Sequence, residues 1–262
     1  GEPSQNSYRS AAMVELLHVA TLIHDDVVDD ATIRRGIISI NKVWKNKISI
    51  LMGDFILSKA LINMISIRDF EVLDCISNTA EKLSSGELLQ LQKSITKSMT
   101  ESIYFDMVKQ KTASLIATSC ELGALTTSKN RSDRMAMYSY GENLGVAFQI
   151  KDDLLDLLGN DIDIGKNSGN DLKRNLVTLP LIFAKSKMTG KENRYFKNLL
   201  NELRKRKDVM NKIIQLIYDF GGVDYAEDKL KFYSENAIDS ISKYPESDVK
   251  KSLLSLVSFN AN

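Results

Sequence analysis

Proline occurs only three times in 262 residues, at Pro3, Pro180 and Pro245. Proline removes a backbone donor and clashes with the turn before it, so its scarcity leaves 4–179 and 181–244 free to run as long helices. The apolar pattern uses that freedom. Over 8–30, Met13, Leu16, Leu17, Ala20, Ile23 and Val27 recur at the three- and four-residue spacing of one helix face. Leu51, Phe55, Ile62 and Ile65 repeat the pattern over 49–67. The same period predicts helices over 70–94, 101–125, 132–158, 176–186, 195–206, 207–220, 223–243 and 247–259. No region alternates with period two for long enough to predict a sheet. The expected fold class is all-α.

Charge excludes some function classes. Thirty-five basic and 34 acidic residues leave a formal net charge of +1, which makes no electrostatic case for nucleic acid or a membrane surface. Cys75 and Cys120 sit in apolar helical contexts without CxxC spacing, as reduced core thiols of a cytosolic protein would. Two histidines, His18 and His24, are too few for a histidine-rich metal centre. No stretch is read as reaching the ~20 apolar residues of a membrane span, and the start carries no signal-peptide pattern. Neither a transmembrane segment nor a nucleic-acid partner is expected.

Local charge is another matter. "HDDVVDD" contains Asp25, Asp26 and Asp29, and "IKDDLLDLL" contains Asp152, Asp153 and Asp156. On a helix, residues four apart share a face about 5.4 Å apart. Like charges there destabilise an isolated helix by a few tenths of a kcal/mol per pair, and desolvation beside Val and Leu adds to that. A neutralising partner is expected. Mg²⁺ suits it, because it prefers oxygen ligands and keeps positions for water and substrate phosphates. Two such clusters predict a shared metal site. Arg34 and Arg35 fall about one and a half turns past Asp29 if that helix continues, and guanidinium groups pair with phosphate bidentately. Lys111 and Thr112 lie on an otherwise apolar helix, and Lys166 lies in a loop after the second cluster. Carboxylates, a divalent cation and cationic side chains describe a pyrophosphate clamp. By residue type alone His18 and His24 read as hydrogen-bonded core histidines.

The ordered set "DDVVDDATIRRG", "GDFILSKA", "GELLQ", "QKTASL", "FQIKDDLLDLLGN", "GKNSGNDL" and "TLPLIFA" resembles the trans-isoprenyl diphosphate synthases, or polyprenyl synthetases. Among them it is most similar to bacterial long-chain enzymes such as octaprenyl diphosphate synthases. The resemblance implies a helical bundle around a central cavity, one domain over 1–262 without the family's N-terminal helices, and a homodimer. It implies that an allylic diphosphate ionises and is attacked by isopentenyl diphosphate, adding one C5 unit. Asp25 and Asp29 would hold two Mg²⁺ ions, assisted by Asp26; Asp152 would hold a third, with Asp153 and Asp156 nearby. Arg34, Lys111 and Lys166 would stabilise the departing pyrophosphate. Arg35 and His18 would bind isopentenyl diphosphate, and Thr112 and Gln149 would line the carbocation region. Ala20, five residues before Asp25, is small where shorter-product relatives carry an aromatic plug. With Leu17, Leu16 and Met13 beyond it, it would leave a channel open to a product of roughly C35 to C45 at one helical turn per isoprene unit. Rival readings are a class I terpene cyclase, a metal phosphohydrolase and a non-catalytic subunit that modulates an active partner. The intact "DDLLD" argues against the first, and the shortage of histidines against the second.

Overall fold

The computed structural model describes residues 1–34, 36–96, 98–128, 130–159, 177–203 and 209–261. Among these the chain is helical apart from one short hairpin. In order, the elements are α1 (Gln5–Val28), β1 (Ile33–Arg34), β2 (Ile37–Ile38), α2 (Ile40–Ile67), α3 (Phe70–Thr96) and α4 (Glu101–Val108). A π-helical turn (Lys109–Ala113) leads into α5 (Ser114–Leu125), followed by α6 (Arg131–Leu158), α7 (Leu179–Lys187) and α8 (Gly190–Leu203). Then come α9 (Val209–Asp219), α10 (Gly222–Ser240) and α11 (Asp248–Ala261). The chain divides into two compact units, Gly1–Glu81 with Thr118–Tyr138, and Lys82–Ala117 with Ser139–Asn262.

In the first unit α1 starts at a reciprocal cap between Ser4 and Ser7, which satisfies two orphan donors of the opening turn. It runs antiparallel to α2. Asn6 Nδ2 donates to the Ile67 carbonyl at 3.4 Å, and Asn63 Nδ2 donates to the Arg9 carbonyl at 2.9 Å. At the other end His24 Nε2 lies 3.2 Å from Asp54 Oδ1. The ring fits there because residue 53 is glycine: a Cβ would stand 2.4 Å from His24 Nε2. His24 thus keeps the structural role expected for it.

Two sequence expectations change here. The helix does not carry on through the arginines. It ends at Val28, and the chain turns back through the antiparallel pair Ile33↔Ile38 and Arg34↔Ile37. Strands of two residues leave no alternation to detect. In addition, α2 proves long and apolar enough to cross a membrane by length and composition. Asp54 and Lys59 interrupt the stretch, and α1 packs along it through the bonds just described.

The second unit has a continuous apolar core in which Tyr104, Ile150, Leu179, Phe196, Ile213 and Ile217 are fully buried. The π-turn and α6 approach closely: a Cβ on Gly145 would lie 2.5 Å from Ala113 Cα. That contact sets Thr112 beside Gln149, one helical turn further along α6.

Candidate active site

The first acidic cluster occupies the last turn of α1. Asp29 is the C-cap, and Asp30 follows in the left-handed region with φ 52°. Ala31 N donates to the Asp26 carbonyl at 2.9 Å, and Asp30 N to the Val27 carbonyl at 3.4 Å. These are the two bonds of a Schellman motif, which halts a helix by satisfying its last carbonyls. Asn41 Nδ2 adds a second donor to the Asp26 carbonyl at 3.0 Å. Asp25 is half-buried and Asp29 exposed, whereas Asp26 is only 6 % exposed.

The second cluster lies toward the end of α6. Asp152 is exposed and Asp156 half-buried. Asp153 is the most enclosed of the three. It is 3 % exposed, and three donors from different elements hold its carboxylate. Tyr104 OH donates to Oδ2 at 2.7 Å, the Leu179 N–H to Oδ2 at 3.3 Å, and Gln149 Nε2 to Oδ1 at 3.0 Å. Leu179 is the first residue of α7, and Pro180 follows it, so "TLP" reads as a helix start whose free N–H is satisfied by a carboxylate from another helix. Burial pushes the Asp153 carboxyl up to about 6, against those three donors, which favour the ion; neighbouring Asp152 adds to the rise.

The polar chain continues into the π-turn. Gln149 Oε1 accepts from Thr112 Oγ1 at 2.8 Å. So Thr112, Gln149, Asp153 and Tyr104 form one connected network; Tyr104 carries no signal in the sequence that would have placed it there. π-turns occur mostly as single-turn bulges and favour functional sites. Here the turn carries both Lys111 and Thr112, and the Ser114 hydroxyl donates to the Gln110 carbonyl at 2.6 Å. Lys111 Nζ lies 2.6 Å from Glu87 Oε2 and 2.5 Å from Gln90 Oε1.

The remaining expected residues fall as follows. His18 is half-buried on α1, and its carbonyl accepts from Thr21 Oγ1 at 2.8 Å. Arg34 lies in β1, not on a helical extension. Arg35 and Lys166 lie outside the described residues. Ala20 is 1 % exposed, as is Met13. Both therefore pack within the first unit, on the α1 face along which the product channel was expected.

Among the described residues no three acidic, histidine or cysteine side chains converge into a metal-binding group. Magnesium does not need one, since it is commonly held by one or two carboxylates plus water and substrate phosphate. The donor set fits. Both clusters offer oxygen ligands near a helix C-terminus, where the backbone dipole is already negative, and neither α1 nor α6 has a basic residue in its last turn.

Residues 1–217 match the family model for polyprenyl synthetase. A prenyl transferase of Cyanidium caldarium is 36% identical over 254 residues, 95% of this chain and 75% of that protein. The octaprenyl diphosphate synthase of Haemophilus influenzae is 31% identical, with 98% of this chain and 78% of that protein covered. Among solved structures, a polyprenyl synthase from Caulobacter crescentus complexed with calcium and isoprenyl diphosphate superposes with a TM-score of 0.90 at 30% identity. The match covers all of this chain and 80% of that one.

Proposed function

The chain belongs to the polyprenyl synthetase family, and from that premise we propose that it condenses isopentenyl diphosphate with an allylic diphosphate to build a long-chain trans-polyprenyl diphosphate. The observation that carries this reading is the pair of DDxxD clusters, each near a helix C-terminus that has no basic residue in its last turn. In the reaction the allylic C–O bond breaks and its electron pair leaves with the diphosphate. The double bond of isopentenyl diphosphate attacks the cation, and a proton is then lost.

Asp25 and Asp29 would hold two Mg²⁺ ions and Asp152, with Asp156, a third. When bound, such ions supply positive charge to the diphosphate oxygens. Asp26 would assist the first pair of ions, and Asp153, bonded to Tyr104, Gln149 and the first amide of α7, would stand beside the third. Arg34, Lys111 and Lys166 meet the leaving diphosphate, and Arg35 and His18 the incoming one. Thr112, oriented by its bond to Gln149, borders the carbocation with it. Fixed charges of this kind lower the barrier because the negative charge grows on the leaving group as the bond breaks. The residues 1–262 act as one catalytic domain in a cytosolic compartment, where both free cysteines stay reduced.

The protein pairs as a homodimer through α2. Ile48, Leu51, Phe55, Ile62 and Ile65 form a stripe at helical spacing, each 45 % or more exposed. Monomeric soluble proteins rarely expose apolar patches larger than a few hundred Å². Sedimentation checks this: the wild type runs as a dimer, and Phe55→Glu shifts it to monomer.

Incubation with farnesyl diphosphate, labelled isopentenyl diphosphate and Mg²⁺, followed by product sizing, tests the main reading. A ladder ending near C40 is expected, abolished by a chelator. Hydrocarbon products would indicate a cyclase, and no turnover without a partner protein a modulating subunit.

A further inference from the structure

The "GELLQ" stretch of α3 has no part in the chemistry described so far, yet it meets Lys111 with three of its five residues. Glu87 and Gln90 are three apart and share a helix face. Both place an oxygen on the Lys111 ammonium, at 2.6 and 2.5 Å. Gly86 lets them do so: a Cβ there would stand 2.7 Å from the Lys111 backbone nitrogen and 3.0 Å from its Cα. Helix α3 therefore seats directly against the π-turn backbone, and the two acceptors reach the end of the side chain that leaves it. The pair is shielded, with side chains 28% and 18% exposed for Lys111 and Glu87.

We infer that Glu87 and Gln90 are positioning residues that aim the Lys111 ammonium at the diphosphate. This rests on the assignment of Lys111 to the leaving group. An ammonium has three N–H donors and rotates freely on a flexible stem. Two fixed acceptors stop that rotation. The third N–H then points along one direction, ready for a phosphate oxygen without reorganisation when the C–O bond breaks.

A double-mutant cycle tests this on the full-length protein. Glu87→Gln keeps the shape and loses the charge, and a loss of about tenfold in kcat with little change in KM is expected, the size typical of a partner that orients a functional group. In the Lys111→Ala background the same substitution should change kcat less than twofold, because its only route of action is gone. Multiplicative losses in the two backgrounds overturn the inference, as does full activity of Glu87→Gln. If Glu87→Gln does not fold, Gln90→Asn is read in the same cycle against the same two outcomes. Calorimetry with inorganic pyrophosphate and Mg²⁺ separates this from failure of the parent reading. A wild type that neither turns over nor binds pyrophosphate sinks the prenyltransferase role, whereas an active wild type with a multiplicative cycle sinks only the positioning role.

Discussion

At the end of α1 the backbone does the holding, through Ala31 and Asp30 amides on the carbonyls of Asp26 and Val27. At the end of α6 side chains do it, through Tyr104 and Gln149 on Asp153, helped by the first amide of α7. The two clusters share the spacing DDxxD, and in both the middle aspartate is buried while the outer two reach solvent. One is fixed by backbone bonds within six residues, joined by the Asn41 side chain 15 residues away, and the other by contacts 26 and 49 residues away. The lesson is that one motif can present the same chemistry from unlike supports. At α6 the middle carboxylate holds the start of another helix, whereas at α1 the bonds at the middle position are made to its backbone carbonyl.

The sharpest way to break this comparison is to remove outer aspartates. Asp25→Ala and Asp152→Ala should each lower kcat on the order of a thousandfold or more, since each strips charge from the site that meets the leaving group. Neither should move the melting temperature by more than a few degrees, because Asp152 is exposed and Asp25 is half-buried. Steady-state kinetics beside thermal denaturation checks both. An Asp152→Ala enzyme near wild-type rate would end the equivalence of the clusters.

The middle positions should then diverge. Asp153→Ala leaves Tyr104 OH, the Gln149 amide and the Leu179 N–H without their acceptor. Each orphaned buried donor costs about 1–3 kcal/mol, so a net loss of roughly 3 kcal/mol is expected after relief of the buried charge. Asp26→Ala keeps every bond made to the Asp26 carbonyl, and about 1 kcal/mol is expected. Urea denaturation of both variants gives the difference, and equal losses would mean that the local and long-range supports are not distinct.

Ala20 offers a third test, one turn before the first cluster. Because it is 1 % exposed, Ala20→Phe must push into packed core, with an expected cost of about 1–3 kcal/mol. Denaturation combined with product sizing reads it. A shortened product at unchanged stability would show that the α1 face opens into a channel during turnover.

Most of the helical order was legible, because an apolar face buried along a helix repeats every 3.6 residues and nothing else in these segments competes with it. The predicted spans over 70–94, 101–125 and 132–158 fall on α3, on α4 with α5, and on α6 within a few residues. The acidic clusters were legible as chemistry for a related reason: four-residue spacing is a property of the helix itself. What stayed hidden depends on contacts distant in sequence or on single backbone angles. The span over 8–30 ran past the true end of α1 because Asp30, not glycine, takes the left-handed position. Nothing in "VKQKTASL" announces a π-turn, since its residues suit an α-helix equally well. Asp153 and Asp152 look alike in a pattern, and only the approach of Tyr104 and α7 separates them. Lys111 carried a signal that could have been followed: the acid and amide of "GELLQ", three apart on a helix beside a glycine, with no role of their own.

The smallest effect lies at Asp30, in the local part of the first cluster's support. A residue with a Cβ pays a conformational penalty in the left-handed region, of roughly 1–2 kcal/mol for ordinary side chains and less for aspartate. Glycine is the usual occupant of this position after a helix, but it also loses more freedom on folding. The two terms partly offset, and removing a fourth carboxylate from a negative helix end tips the balance further toward the variant. Asp30→Gly is expected to stabilise the protein by about 0.5 kcal/mol in thermal or urea unfolding and to leave kcat unchanged, since Asp30 lies outside the DDxxD spacing. Loss of stability there would show that the αL aspartate makes contacts that hold the hairpin.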